Sequence, residues 1–163
     1  MTGAPRLRVG IGYDSHRFAS GRPLILGGQT IPFAHGLAGH SDADAVSHAV
    51  TDAILGASGA GDIGKLFPDD DPAWEDADSL ELLRLAVRHA AQVGWVPVQA
   101  DVTVIIERPK LASYIPAMEQ RLAEALGLEA GLVNVKAKTN EGMGWVGRGE
   151  GVAVIAVATV EAR

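Results

Sequence analysis

Asp14 and His16 stand two residues apart, and His48 lies downstream of them in AGHSDADAVSHA, residues 38–49. Side chains at i and i+2 of an extended segment point the same way, so a carboxylate and an imidazole there can face one ion. With His48 as a third ligand, Zn²⁺ would have three protein donors and an open fourth position, the pattern of a catalytic rather than a structural site. The chain has five His and no Cys, which excludes disulfides and thiolate ligation and leaves imidazole and carboxylate as the strong donors. Each residue alone is a weak signal, since Asp-x-His pairs are common on surfaces and a lone helical His is usually a satisfied side chain. Their accumulation in one region carries the argument.

The elements that must position them can be read from periodicity. Leu7, Val9, Ile11 and Tyr13 alternate with Arg8, Gly10 and Gly12, which predicts a strand with Asp14 and His16 at its end. Ser41 and Asp44 form an S-x-x-D capping box ahead of an Ala-rich run, predicting a helix from near Ser41 to about Gly56. Asp44, His48 and Asp52 share a face of that helix, so either Asp is placed to accept the proton of the imidazole nitrogen turned away from a metal. His40, just ahead of the cap, sits at the helix's positive end.

Arg22 to Pro32 reads as a small structural hairpin around Gly27-Gly28. Gly56 to Asp78 is a long stretch rich in Gly, Pro and Asp, expected to be an ordered binding loop, with Lys65 offering a cation to an anionic ligand. Asp78 with Glu81 opens a helix whose apolar stripe ends near Gly94, with His89 an ordinary member. A strand from Val98 to Glu107, a helix from Ser113 to Leu126, and strands from Leu132 to Lys138 and Val152 to Val160 complete the chain. The last strand is apolar on both faces, which implies helices on one side and another subunit on the other. Strands and helices intermix without strict alternation, predicting an α+β fold with helices on one face of a mixed sheet.

Between the last two strands, residues 138–151 combine repeated glycines with Lys138, Thr139, Glu141 and Arg148. Such a loop lets backbone amides approach phosphate, while Glu141 is a ligand for a hard cation. It contains no Walker sequence. Arg108-Pro109-Lys110 is a further group within reach of a phosphate.

At 163 residues and 47% apolar content the chain fits one domain, residues 1–163, with a single core. The net charge of −6 and the lack of a basic run argue against nucleic acid as partner. The N-terminal MTGAPRLR has no apolar core, and Val152 to Val160 is far short of the roughly 20 residues that span a bilayer. A cytoplasmic protein without membrane association is expected.

GYDSHRF at 12–18, LILGG at 24–28, GLAGHSDADAVSHAVTDAILGA at 36–57, GDIGKLFPD at 61–69, DVTVI at 101–105 and NVKAKTNEGMGWVGRGEG at 134–151 together resemble the 2-C-methyl-D-erythritol 2,4-cyclodiphosphate synthase family of the non-mevalonate isoprenoid pathway. The resemblance implies a ferredoxin-like α+β subunit in a homotrimer with interfacial active sites, each holding Zn²⁺ and a Mg²⁺ or Mn²⁺ ion. It places Zn²⁺ on Asp14, His16 and His48 and the second cation on Glu141. His40 and Thr139 are implied to stabilise the reacting phosphates, with Ser15 and Ser41 beside them. Asp62, Ile63 and Gly64, with Phe67, Pro68, Asp69, Asp70 and Asp71, would form a mobile loop over the methylerythritol portion. Ile106, Pro109, Lys110, Leu111, Ala112, Lys138 and Asn140 would meet the cytidine, and Trp145 and Arg148 the trimer axis and substrate end. Lys138 and Asn140 stand where many relatives have Thr, and Ala45 where Val is frequent.

The implied substrate is 4-diphosphocytidyl-2-C-methyl-D-erythritol 2-phosphate, cyclised with loss of CMP by a phosphorus–oxygen lyase. Its nucleophile is already an anion, in keeping with a chain that offers no Ser-His-Asp arrangement. Two rival readings use the same donors: a metal-dependent phosphatase, which would release inorganic phosphate, and a binding protein with a structural Zn²⁺.

Overall fold

The computed structural model describes Gly3 and residues 6–163. Met1, Thr2, Ala4 and Pro5, which belong to the N-terminal stretch without an apolar core, lie outside the described residues.

Strand β1 (Leu7–Ala19) runs antiparallel to β7 (Gly151–Ala162), in register from Leu7 opposite Glu161 to Arg17 opposite Gly151. β7 is central and pairs on its other edge with β5 (Trp95–Ile105), which pairs in parallel with β6 (Val133–Lys138). With the short β4 (Gly36–Leu37) beside β1, the sheet order is β4-β1-β7-β5-β6. The predicted hairpin is present as β2 (Leu24–Leu26) and β3 (Gln29–Ile31). Its turn residues Gly27 and Gly28 have φ of 57° and 72°, the left-handed pair that a two-residue hairpin turn requires.

Helices α1 (Ala45–Ser58), α3 (Ser79–Gln92) and α4 (Ile115–Leu126) cover one face of the sheet, with single turns α2 (Ile63–Leu66) and α5 (Gly144–Gly147) in the loops. The core lies between them: Val152, Val154, Ala156, Ala158 and Val160 of β7 meet Val46, Val50 and Ile54 of α1. The α+β reading with helices on one face therefore holds. The ferredoxin-like detail does not match, because β5 and β6 are adjacent and parallel, joined through α4. A split β-α-β pattern would place another strand between them.

Alternation along β1 points its apolar side chains away from the helices. Leu7, Val9, Ile11 and Tyr13 are 57–69% exposed on the open face of the sheet. Gly10 and Gly12 face α1, and a β-carbon on Gly12 would sit 1.8 Å from the Ala49 carbonyl oxygen. On Gly10 it would sit 2.1 Å from that of Ala53. Strand and helix therefore touch backbone to backbone, which only glycine permits.

Helix α1 starts later than its sequence signal. Its N-cap is Asp44, whose carboxylate accepts from Ser47 N at 3.0 Å, and Ser41 lies ahead of the helix. The predicted capping box is thus replaced by a single Asp cap. Asp78 caps α3 as expected, while Glu81 pairs with Arg84 instead of reaching back to the cap.

Candidate metal centre and active site

The glycine contact between β1 and α1 holds the next side chains on that face of the strand close to the helix. Asp14 and His16 continue the face and meet His48, one turn into α1. Asp14 Oδ2 lies 2.7 Å from His16 Nε2 and 3.3 Å from His48 Nδ1, and the two ring nitrogens are 3.4 Å apart. A tetrahedral ion with bonds of about 2.0–2.1 Å spaces its donors roughly 3.3 Å apart, so this triad has the dimensions of a zinc site. Among the described residues it is a cluster of three donors able to hold a metal ion.

The other ring nitrogens are fixed. His16 Nδ1 donates to the Ala38 carbonyl at 2.6 Å, which leaves the Nε2 lone pair for the centre. His48 Nε2 contacts the hydroxyls of Ser79 at 2.8 Å and Ser41 at 3.0 Å. The expected carboxylate partners of His48 are engaged elsewhere. Asp44 is fully buried and accepts from Gly27 N, Gly28 N, Ser47 N and the Ser47 hydroxyl, tying the β2–β3 hairpin to the start of α1. Asp52 accepts from Ile63 N at 2.7 Å and anchors the loop after α1. Helical periodicity placed both Asp residues near His48 but could not show that backbone donors would claim them.

Burial works against the Asp14 carboxylate, but hydrogen bonds and charge from His16 and His48 outweigh it and hold its pKa below the ordinary value. Burial likewise disfavours charge on His16, yet the Asp14 hydrogen bond and charge prevail and raise it. Burial pushes the Asp44 carboxyl upward, against the effect of its donors.

The triad opens into a cavity of about 210 Å³ lined also by His40, Ser41, Ile63, Gly64, Phe67, Asp69, Trp74 and Leu82. Part of the predicted loop therefore reaches the triad's cavity. Asp62 and Asp71 act as caps within it, accepting from Lys65 N and Ala73 N, while Asp70 is exposed. Phe67 stacks edge-on to Trp74 at 5.0 Å, giving the loop its own small core. Arg22, which sequence reasoning missed, donates to the carbonyls of Gly39 at 2.5 Å and Ser41 at 2.6 Å, holding the His40 segment in place.

The remaining predicted residues form a second group. Ile106, Pro109, Lys110, Leu111, Ala112, Lys138 and Thr139 line a cavity of about 190 Å³. Lys138, Thr139, Asn140 and Glu141 line another beside it. Neither shares a lining residue with the triad's cavity. Glu107 folds this loop by accepting from Asn140 N at 2.7 Å, and Glu141 N donates to the Thr139 hydroxyl at 3.2 Å. The Glu141 carboxylate is exposed. Ser15 points to the other face of β1 and, with His16, Arg17, Trp145 and Glu150, lines a larger cavity that adjoins the triad's at His16. Arg148 pairs with Glu150 at 2.9 Å.

These features define an α+β domain with a His₂Asp metal-type triad at a strand–helix junction. Residues 7–161 match the model of the YgbB family. The chain is 55% identical over 155 residues to the 2-C-methyl-D-erythritol 2,4-cyclodiphosphate synthase of Symbiobacterium thermophilum, covering 95% of this chain and 99% of that one. It is 56% identical over 151 residues to the synthase of Bordetella petrii, covering 93% of each. A solved synthase structure in a CDP-bound form superposes with a TM-score of 0.86 at 40% identity, covering 94% of this chain and all of that one. The bifunctional IspDF of Campylobacter jejuni gives 0.93 at 41% identity, covering 96% of this chain and 42% of the bifunctional one. The chain belongs to the YgbB family of 2-C-methyl-D-erythritol 2,4-cyclodiphosphate synthases.

Proposed function

We propose that this chain converts 4-diphosphocytidyl-2-C-methyl-D-erythritol 2-phosphate into 2-C-methyl-D-erythritol 2,4-cyclodiphosphate and CMP, as one cytoplasmic domain of the non-mevalonate isoprenoid pathway. The observation that carries the reading is the Asp14, His16 and His48 cluster beside His40 in a chain more than half identical to synthases over nearly its whole length. The comparisons favour the synthase over the phosphatase. Among the described residues, no helix is long and apolar enough to cross a membrane.

In this reaction the 2-phosphate oxygen forms a bond to the β-phosphorus, the bond from that phosphorus to the bridging oxygen breaks, and CMP leaves with that oxygen. The attacking group is anionic, so no protein base is needed and the chain's task is positioning and charge neutralisation. His40 and Thr139 are the donors we assign to the reacting phosphates. The loop carrying Ile63, Gly64, Phe67 and Asp69 would cover the methylerythritol portion, and the Ile106–Ala112 segment with Lys138 would receive the cytidine. When bound, Zn²⁺ at Asp14, His16 and His48 would supply a Lewis acid and template, and Mg²⁺ or Mn²⁺ at Glu141 would neutralise the departing phosphate.

The two groups of site residues line separate cavities of one subunit, and a substrate held between two copies of the chain would bring them together. The open sheet face supports the same reading, because Leu7, Val9, Ile11, Tyr13 and Ile155 present an apolar surface without helices over it. A homotrimer with an active site at each interface accounts for both observations.

A phosphorus NMR time course with the diphosphocytidyl substrate, Zn²⁺ and Mg²⁺ tests the proposal. Equal amounts of CMP and cyclic diphosphate, both lost on chelation, are expected. Free phosphate would replace it with the hydrolase, and unchanged substrate with the binding protein.

A further inference from the structure

We propose that Ser79 and Asp42 are positioning residues that select the metal-binding tautomer of His48. The inference rests on reading the triad as a metal site. Ser79 is the first residue of α3 and is fully buried, far in sequence from the triad. Its hydroxyl donates to Asp42 Oδ1, and its backbone N–H donates to Asp42 Oδ2 at 3.1 Å. Asp42 also accepts from Asp44 N at 3.1 Å, so its carboxylate is engaged by donors on both oxygens.

These contacts give the chain of hydrogen bonds one direction. The Ser79 hydroxyl has a single proton, and it is donated to Asp42 Oδ1. The Ser79 oxygen, 2.8 Å from His48 Nε2, then has only lone pairs to offer the ring. The Ser41 hydroxyl, 3.0 Å from the same nitrogen, can accept there as well, so Nε2 is where His48 keeps its proton when a metal replaces any proton on Nδ1, the nitrogen that faces Asp14 and His16. The Ala38 carbonyl acts on His16 in the opposite sense, accepting from Nδ1 and freeing Nε2. The two imidazoles thus offer different nitrogens to one point because their outer partners differ. Outer hydrogen bonds of this type orient metal-binding His rings and typically contribute 10–100-fold to affinity. The arrangement also couples the first turn of α3 to α1, because Ser79 must keep its place for His48 to keep its tautomer.

The test compares wild type, Ser79→Ala and Asp42→Asn. Zinc affinity is measured by competition with a chelating dye, and ¹⁵N NMR of the histidine rings in metal-free protein reports the His48 tautomer. Wild type should show His48 protonated on Nε2. Ser79→Ala should bind zinc about 10–100-fold more weakly and mix the two tautomers, with far-UV circular dichroism unchanged. Asp42→Asn, which removes one acceptor while keeping the side chain's size, should weaken zinc in the same direction. Wild-type zinc affinity and an unchanged Nε2–H signal in Ser79→Ala would overturn this proposal alone. A wild-type protein that binds no zinc would overturn the metal reading with it.

Discussion

Gly12 lies directly against the Ala49 carbonyl of α1, close enough that a β-carbon would have to occupy the oxygen's place. Two residues further along the same face of β1, Asp14 meets His48. The strand–helix spacing set by the glycine therefore also sets the spacing within the Asp14, His16 and His48 triad.

Gly12→Ala should consequently damage both stability and metal binding. The added methyl forces β1 and α1 apart at a point lined by backbone, costing about 3 kcal/mol. A fall in Tm of roughly 6–12 °C is expected for a chain of this size. Calorimetry with and without zinc checks it, and a variant that melts and binds zinc like wild type would refute the spacing argument.

His48→Ala removes one of the three donors from the rim of an otherwise intact cavity. Turnover should fall by at least about 10²–10³-fold, the loss expected when a principal charge-stabilising contact goes. Subunit assembly, followed by size exclusion with light scattering, should be unaffected, since His48 faces the helix side of the sheet. Normal activity would sink the metal assignment.

Glu141→Gln should alter the response to Mg²⁺ or Mn²⁺ without altering zinc content. Glu141 lines a cavity separate from the triad's, so the two metals should be separable by mutation. Metal titrations of the rate, beside zinc analysis of the purified variant, measure this. An unchanged titration curve would remove Glu141 from the second site.

Ile11→Lys places a charge in the middle of the apolar row on the open sheet face, where Ile11 is 69% exposed in the single subunit. Each copy would lose the roughly 2 kcal/mol of burying Ile and would have to desolvate an ammonium group. Monomers should appear in sedimentation velocity, and activity should disappear with assembly. An active monomer would contradict an interfacial site.

Metal-free protein should show a pH-dependent contribution from the Asp14–His16 pair. The His16 pKa is raised above 6.5, so its contribution is fully present below 6.5 and is lost as pH rises through the raised value. The Asp14 pKa is lowered from 3.8, so its contribution is present above 3.8 and is lost as pH falls through the lowered value. The Tm difference between wild type and Asp14→Asn should therefore be largest between about 3.8 and 6.5 and shrink at higher pH. A difference that grows toward alkaline pH would reverse the assignment.

The sequence by itself determined the donors and most of the elements. Composition excluded thiolate chemistry, the period-two run located β1 with Asp14 and His16 on one face, and the hairpin glycines announced their left-handed turn. Those signals are local, carried by residues a few positions apart. Tertiary structure decided which face of β1 would be buried. Alternation predicts the strand without saying which face is covered, and the glycines take the helix side because α1 approaches too closely for any side chain. It also decided the partners of His48. Asp44 and Asp52 were the sequence candidates, yet the hairpin amides and Ile63 N claimed them, and Ser79 reached the ring from a different helix. A hydrogen bond between residues 31 positions apart depends on how α1 and α3 pack, and no sequence period records that distance.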